Sequence, residues 1–177
     1  MTRILAAAAL LIAAGCANQG TTTAAEAAAP AAGSAVADLA DAKGTPVGRA
    51  VATEHGGMIH LKIEARSLPP GVHGIHVHTV GRCDAPDFTT AGSHWNPAGK
   101  QHGAENPQGP HAGDMPNLTI GADGRGSLTF MLPSGTLDGM LDADGAALVI
   151  HAAADDLKTD PSGNSGARLA CGVFRRS

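Results

Sequence analysis

Between Met58 and Ala65 the chain alternates one for one. Ile59, Leu61 and Ile63 fall on one face, and His60, Lys62 and Glu64 fall on the other. A period of two is the mark of a half-buried antiparallel strand. Shorter runs of the same kind recur at Val36–Leu39, Val47–Thr53, Ile75–Val80, Leu118–Ile120, Ser127–Leu132, Ala147–His151 and Leu169–Phe174. Turn signals separate them: Ala42-Lys43-Gly44, His55-Gly56-Gly57, Pro69-Pro70-Gly71 and Asp123-Gly124-Arg125-Gly126. Two stretches lack periodicity, residues 81–117 and 152–167. A loop as long as the first needs something to pin it inside a domain. The pattern predicts an all-β domain, an eight-stranded Greek-key β-sandwich or flattened barrel with two long functional loops.

The start of the chain follows a different pattern. Arg3 precedes an unbroken apolar run from Ile4 to Ala14, which is too short to span a bilayer. Ala13-Ala14-Gly15-Cys16 then resembles a lipobox, with Ala13 in place of the usual leucine. Residues 1–16 are therefore expected to be a signal peptide with a lipobox-like end and Cys16 as the acylated residue, the alternative being an ordinary secretory signal with Cys16 lost or left free. Ala17 after Cys16 points to the outer membrane if an anchor forms. Residues 17–34, rich in Ala and Thr with Glu26 as the one charge, read as a flexible tether. The folded domain is expected at residues 35–177, exported and periplasmic.

Composition narrows the class. The 177 residues suffice for one domain with a core. The 24 glycines and 11 prolines suit a turn-rich β protein, and the aromatics are only Phe88, Trp95, Phe130 and Phe174. A net charge of −4 carries no nucleic-acid footprint. With Cys16 acylated, Cys83 and Cys171 remain as an even pair, which suits an oxidising compartment. A bond between them would close a loop of about 90 residues, worth roughly 4–5 kcal/mol in the chain-entropy picture.

The chemistry lies in the histidines. His76 and His78, two apart on a strand, point to one face and can chelate one ion. His94, His102 and His111 follow at spacings of eight and nine, with Asp114 three further on. Three imidazoles and a carboxylate meet the four-coordinate requirement of zinc. His151 ends an apolar strand and joins His76 and His78 if that end faces them. Four nitrogens in a plane suit copper(II). Two four-coordinate sites need eight donors and these residues supply seven, so one imidazole serves both metals or one site stays open.

Taken together, Gly71-Val72-His73-Gly74-Ile75-His76-Val77-His78, Gly92-Ser93-His94-Trp95-Asn96-Pro97, His102-Gly103, His111-Ala112-Gly113-Asp114-Met115-Pro116-Asn117-Leu118, Val149-Ile150-His151 and Gly163-Asn164-Ser165-Gly166-Ala167-Arg168-Leu169-Ala170-Cys171-Gly172 resemble the copper–zinc superoxide dismutases. The Gly-Asp-Met-Pro-Asn-Leu form is similar to the bacterial branch. The resemblance implies dismutation of superoxide to dioxygen and hydrogen peroxide, with one copper and one zinc ion per subunit. It implies copper on His76, His78, His94 and His151, and zinc on His94, His102, His111 and Asp114, with His94 as the bridge. It further implies a Cys83–Cys171 disulfide, Arg168 orienting the anion, and Asp155 linking a copper histidine to a zinc histidine. His73 becomes structural, and His55 and His60 surface residues. The loop after His151 is short and carries few charges, so steering rests on Arg168, with Lys158 and Lys100 as weaker candidates. Neither a dimer nor a monomer is selected, because no aromatic stripe marks an interface.

Overall fold

The computed structural model describes residues 33–177. The signal segment, Cys16 and nearly all of the tether lie outside the described residues. Ser34, assigned above to the end of the tether, is the first residue of β1. Among the described residues no helix is long and apolar enough to cross a membrane.

Ten strands form: β1 (Ser34–Asp41), β2 (Pro46–His55), β3 (Met58–Ala65), β4 (Gly71–His73), β5 (Ile75–His78), β6 (Leu118–Ile120), β7 (Gly126–Met131), β8 (Ala147–His151), β9 (Arg168–Val173) and β10 (Arg175–Arg176). The eight expected strands are all present. The two additional ones, β4 and β10, are very short. A single helical turn, α1, covers Leu137–Met140.

The main sheet runs β5-β8-β9-β1-β2-β3-β7, with β10 also paired to β1, and β4 pairs with β6. The sheet curls because the chain continues from β4 through Gly74 into β5, and from β6 through a tight turn into β7. Gly74 bridges the kink, its N–H donating to Ala153 O and its carbonyl accepting from His151 N–H, both at 2.8 Å. Strands far apart in sequence therefore meet: β1 with β9, β3 with β7 and β5 with β8. These jumps are the Greek-key connections.

Local sequence explains the register. Gly56 and Gly57 have φ of 61° and 77°, the paired left-handed conformation of a two-residue hairpin turn that closes β2 on β3. That turn places His55 opposite Met58, and the alternation of β3 then sends Ile59, Leu61 and Ile63 fully inward. Burying each such side chain contributes about 1.5–3 kcal/mol. Leu39, Ile75, Leu118, Leu148 and Ile150 complete a mostly aliphatic core, with Trp95 and Phe174 at its margins.

Residues 81–117 are strapped to β5. Trp95 N–H donates to Val77 O (2.8 Å), Val77 N–H to Gly113 O (2.9 Å) and Gly113 N–H to Trp95 O (2.9 Å). Thr79 N–H donates to Ser93 O (2.9 Å), so chain expected to extend β5 to Val80 pairs with the loop. The other pin is covalent. Cys83 and Cys171 are disulfide-bonded with Cα atoms 5.7 Å apart. Around that bond Phe88, Ala91, Ala147 and Val149 form a small second core outside β8 and β9.

Candidate metal centre

The straps deliver the loop histidines to the strand histidines. His76 and His78 leave β5 on one face, with ring centroids 6.3 Å apart. An isolated bridge sets His94 against His78, and another sets Asp114 against His76. His151 enters from the end of β8, where a register shift beside Ile150 turns it toward the same place. One ring nitrogen from each of His76, His78, His94 and His151 lies within 4.8 Å of the others.

Outer hydrogen bonds determine which nitrogen faces inward. His78 Nδ1–H donates to Gly92 O (2.9 Å) and His151 Nδ1–H to Gly166 O (3.2 Å). His76 Nε2–H donates to Asp155 Oδ2 (2.5 Å). The atoms left over are His76 Nδ1, His78 Nε2, His94 Nε2 and His151 Nε2, all buried and all without a hydrogen-bond partner. Four converging, partnerless imidazole lone pairs are costly in a fold and match the donor set of a copper ion.

A second cluster adjoins the first. Asp114 Oδ1 lies 2.9 Å from His94 Nδ1, 3.1 Å from His102 Nδ1 and 3.2 Å from His111 Nδ1. These separations are close to the ligand–ligand edge of about 3.3 Å expected for a tetrahedron with zinc-length bonds of about 2.0 Å. The other oxygen, Oδ2, accepts from the backbone N–H of Gly103 and of His111, both at 2.9 Å. By mutual distance this group comprises His76, His94, His102 and Asp114, and His111 adjoins it through the shared Oδ1. His94 directs Nδ1 at the Asp114 oxygen and Nε2 at the first cluster.

Asp155 lies behind both clusters. Its Oδ2 holds His76 and its Oδ1 accepts from His102 Nε2–H (3.0 Å). Asn117 fixes that position, because Asp155 N–H donates to Asn117 Oδ1 (2.8 Å) and Asn117 Nδ2 donates back to Asp155 O (2.9 Å). Gly163 leaves room for it, since a Cβ there would stand 1.7 Å from Asp155 Oδ1.

A cleft of about 450 Å³ opens over the first cluster, lined by His78, His94, His151, Arg168, Ser93 and Ser162 among others. Arg168 is anchored at its wall, donating to Phe88 O (2.6 Å) and Gly92 O (2.7 Å). Gly92 O therefore holds both His78 and Arg168. Lys100 and Lys158 are exposed and outside this lining.

A family model, Copper/zinc superoxide dismutase (SODC), matches residues 46–174. The chain belongs to that family. Cu-Zn superoxide dismutase 1 of Aquifex aeolicus is 42% identical over 145 residues, covering 78% of this chain and 86% of the relative. A superoxide dismutase-like protein of Bacillus subtilis is 48% identical over 122 residues, covering 66% and 62%. Among solved structures, a SOD-like protein from Bacillus subtilis matches with a TM-score of 0.74 at 43% identity, over 78% of this chain and 96% of that one. The Cu/Zn superoxide dismutase from Brucella abortus matches with a TM-score of 0.66 at 31% identity, over 80% and 99%.

Copper–zinc dismutase residues read from the sequence are thus brought together: His76, His78, His94, His102, His111, Asp114, His151, Asp155 and Arg168 converge, and Cys83 is bonded to Cys171. His73 stands apart, its ring between the carbonyls of His151 (2.7 Å) and Pro69 (2.9 Å). His55 and His60 lie on the outside. Three supporting groups were not singled out: Asn117, the Gly92 carbonyl, and Asp160, whose Oδ1 accepts from His102 N–H (2.7 Å). Asn117 and Asp160 act through side chains, and of the two only Asn117 lies inside a motif, Asp114–Leu118.

Electrostatics separate the two clusters. Burial, reinforced by neighbouring imidazoles, pushes His76 down to about 3, His78 to about 2 and His151 to about 4, and lowers His94 as well. These rings stay neutral with lone pairs available, as metal ligation requires. Burial also opposes charge on His102, but bonds to Asp114 and Asp155 outweigh it and raise the ring to about 9. Burial would raise both carboxyls; His102, with His94 at Asp114 and His76 at Asp155, holds them well below the usual range.

Proposed function

We propose that this chain converts two superoxide anions and two protons to dioxygen and hydrogen peroxide, with copper held by His76, His78, His94 and His151, and zinc by His94, His102, His111 and Asp114. The observation that carries the assignment is the set of four partnerless buried nitrogens beside the shared Asp114 oxygen. When bound, copper supplies the one-electron oxidation and reduction, and zinc a fixed positive charge at Nδ1 of His94.

The remaining steps belong to the chain. Arg168 draws the anion into the cleft and orients it, because two of its N–H groups are tied to carbonyls while others stay available. Burial lowers its pKa only from a very high ordinary value, so it remains charged. Local field outweighs the net negative charge of the molecule at such a cleft. Nε2 of His94 points into the first cluster beneath the cleft and can hold a proton for the peroxide product while Nδ1 stays directed at the Asp114 side. Asp155 keeps His76 and His102 in the tautomers that ligation needs.

Purified protein loaded with both metals should consume superoxide in proportion to its copper content. Full metal occupancy without copper-dependent turnover would instead make it a metal-holding protein on this scaffold. The placement of Arg168 over the first cluster favours the enzyme.

The same reading includes export, cleavage before Cys16, acylation of that residue and a tether to the domain. The apolar run before Cys16 and the Cys83–Cys171 bond support it. The mass of the mature N-terminus tests cleavage and acylation together; an unmodified Cys16 ends the anchor.

A further inference from the structure

Three imidazoles take no part in the centre: His73 is held between two carbonyls, and His55 and His60 stand on the outer wall where β2, β3 and β7 lie side by side. Register fixes their neighbours. His55 is opposite Met58 across the β2–β3 turn, and His60 is flanked by Thr53 on β2 and Met131 on β7. Residues opposed across antiparallel strands share a face, and so do Met58 and His60, two apart on β3. The His55 and His60 rings meet edge to face with centroids 5.8 Å apart.

Both methionines are conspicuous for their exposure. Met58 is 45% and Met131 44% exposed, two of the three large apolar side chains left open among the described residues, while Met115 and Met140 are buried. Further along the same face β3 carries Lys62 and Glu64, paired with each other at 2.9 Å. The patch therefore presents two thioethers and two imidazoles on a rigid sheet, with its neighbouring cation already compensated.

We propose that His55, Met58, His60 and Met131 form a surface site for copper(I), separate from the buried metal centre. Thioether sulfur selects copper(I) over zinc, and imidazole is compatible with it. The unbranched methionine side chains have the rotational freedom to bring sulfur onto an ion from neighbouring strands. None of the four residues is among those lining the cleft, so an ion here is held by a different set of side chains. The site binds the ion without changing its oxidation state.

The test uses the full chain already loaded with copper and zinc, titrated anaerobically with copper(I) against a competing chromogenic chelator. One further equivalent should bind with zinc content unchanged, and X-ray absorption should show copper–sulfur scattering, which no nitrogen–oxygen centre produces. The Met58→Leu/Met131→Leu double variant, near-isosteric at two exposed positions, should lose the sulfur signal and bind the extra ion at least tenfold more weakly, with dismutation unchanged. No uptake beyond the loaded metals, uptake without sulfur scattering, or an unchanged double variant would each overturn the site. Because the readouts are uptake and scattering, they stand apart from whether the buried centre turns over superoxide.

Discussion

His94 is the residue on which the two clusters depend together. Its Nδ1 lies at the Asp114 oxygen and its Nε2 is partnerless on the copper side. His94→Ala should therefore empty both sites in metal analysis, whereas His102→Ala should mainly release zinc; matching single-metal losses from the two would refute the bridge. Asp155→Ala removes one oxygen from His76 and one from His102. Loss of such an outer partner typically costs about 10–100-fold in metal affinity, and zinc retention against a chelator reads it directly. Arg168→Ala should lower kcat/KM by roughly tenfold or more and flatten its dependence on ionic strength, as expected when a steering charge is lost. Unchanged salt dependence would mean that the steering charge lies elsewhere. The converging side chains themselves were legible in the chain because imidazoles and one carboxylate recur at short spacings. The Gly92 carbonyl was not, since a main-chain acceptor leaves no trace in residue identity.

Strand β3 was plain in the sequence because hairpin turn, alternation and burial all agree there. β4 and β10 were not. Val72 in β4 is exposed, β10 is two charged residues, and each owes its pairing to a neighbour, β6 or β1. The long loop was legible as something that had to be pinned, but its straps to β5 run through backbone groups. The second loop has one position where side-chain identity is decisive. Gly163 has φ of 61° and no room for a Cβ beside Asp155. Gly163→Ala should displace that carboxylate and loosen zinc about as much as Asp155→Ala does, while β-sheet circular dichroism stays unchanged. Normal zinc retention in the variant would show that the loop can yield.

For the molecule as a whole, acid is the informative variable. His76, His78 and His151 have folded-state values of about 3, about 2 and about 4, below the ordinary imidazole value of 6.5. The unfolded chain then binds more protons than the folded one, so stability falls as pH drops below 6.5 toward those values. Asp114 and Asp155, also lowered, contribute stability above the usual carboxylate range that is lost as pH falls through their folded values. His102, raised to about 9, runs the other way: its contribution is complete below 6.5 and disappears as pH rises through 9. The metal-free protein should therefore melt at lower temperature at pH 4.5 than at pH 7, and weaken again as pH rises from 7 to 9. A flat profile between pH 4.5 and 7 would contradict the buried neutral imidazoles. The same window should release copper from the loaded protein, since protons and metal compete for the same nitrogens.

The Cys83–Cys171 bond has a consequence at this scale too. It ties β9, which begins with Arg168, to the segment whose Phe88 and Gly92 carbonyls hold that arginine's guanidinium. Reducing it should loosen that segment and with it the aim of Arg168, so the reduced protein should lose kcat/KM more than it loses β-sheet circular dichroism.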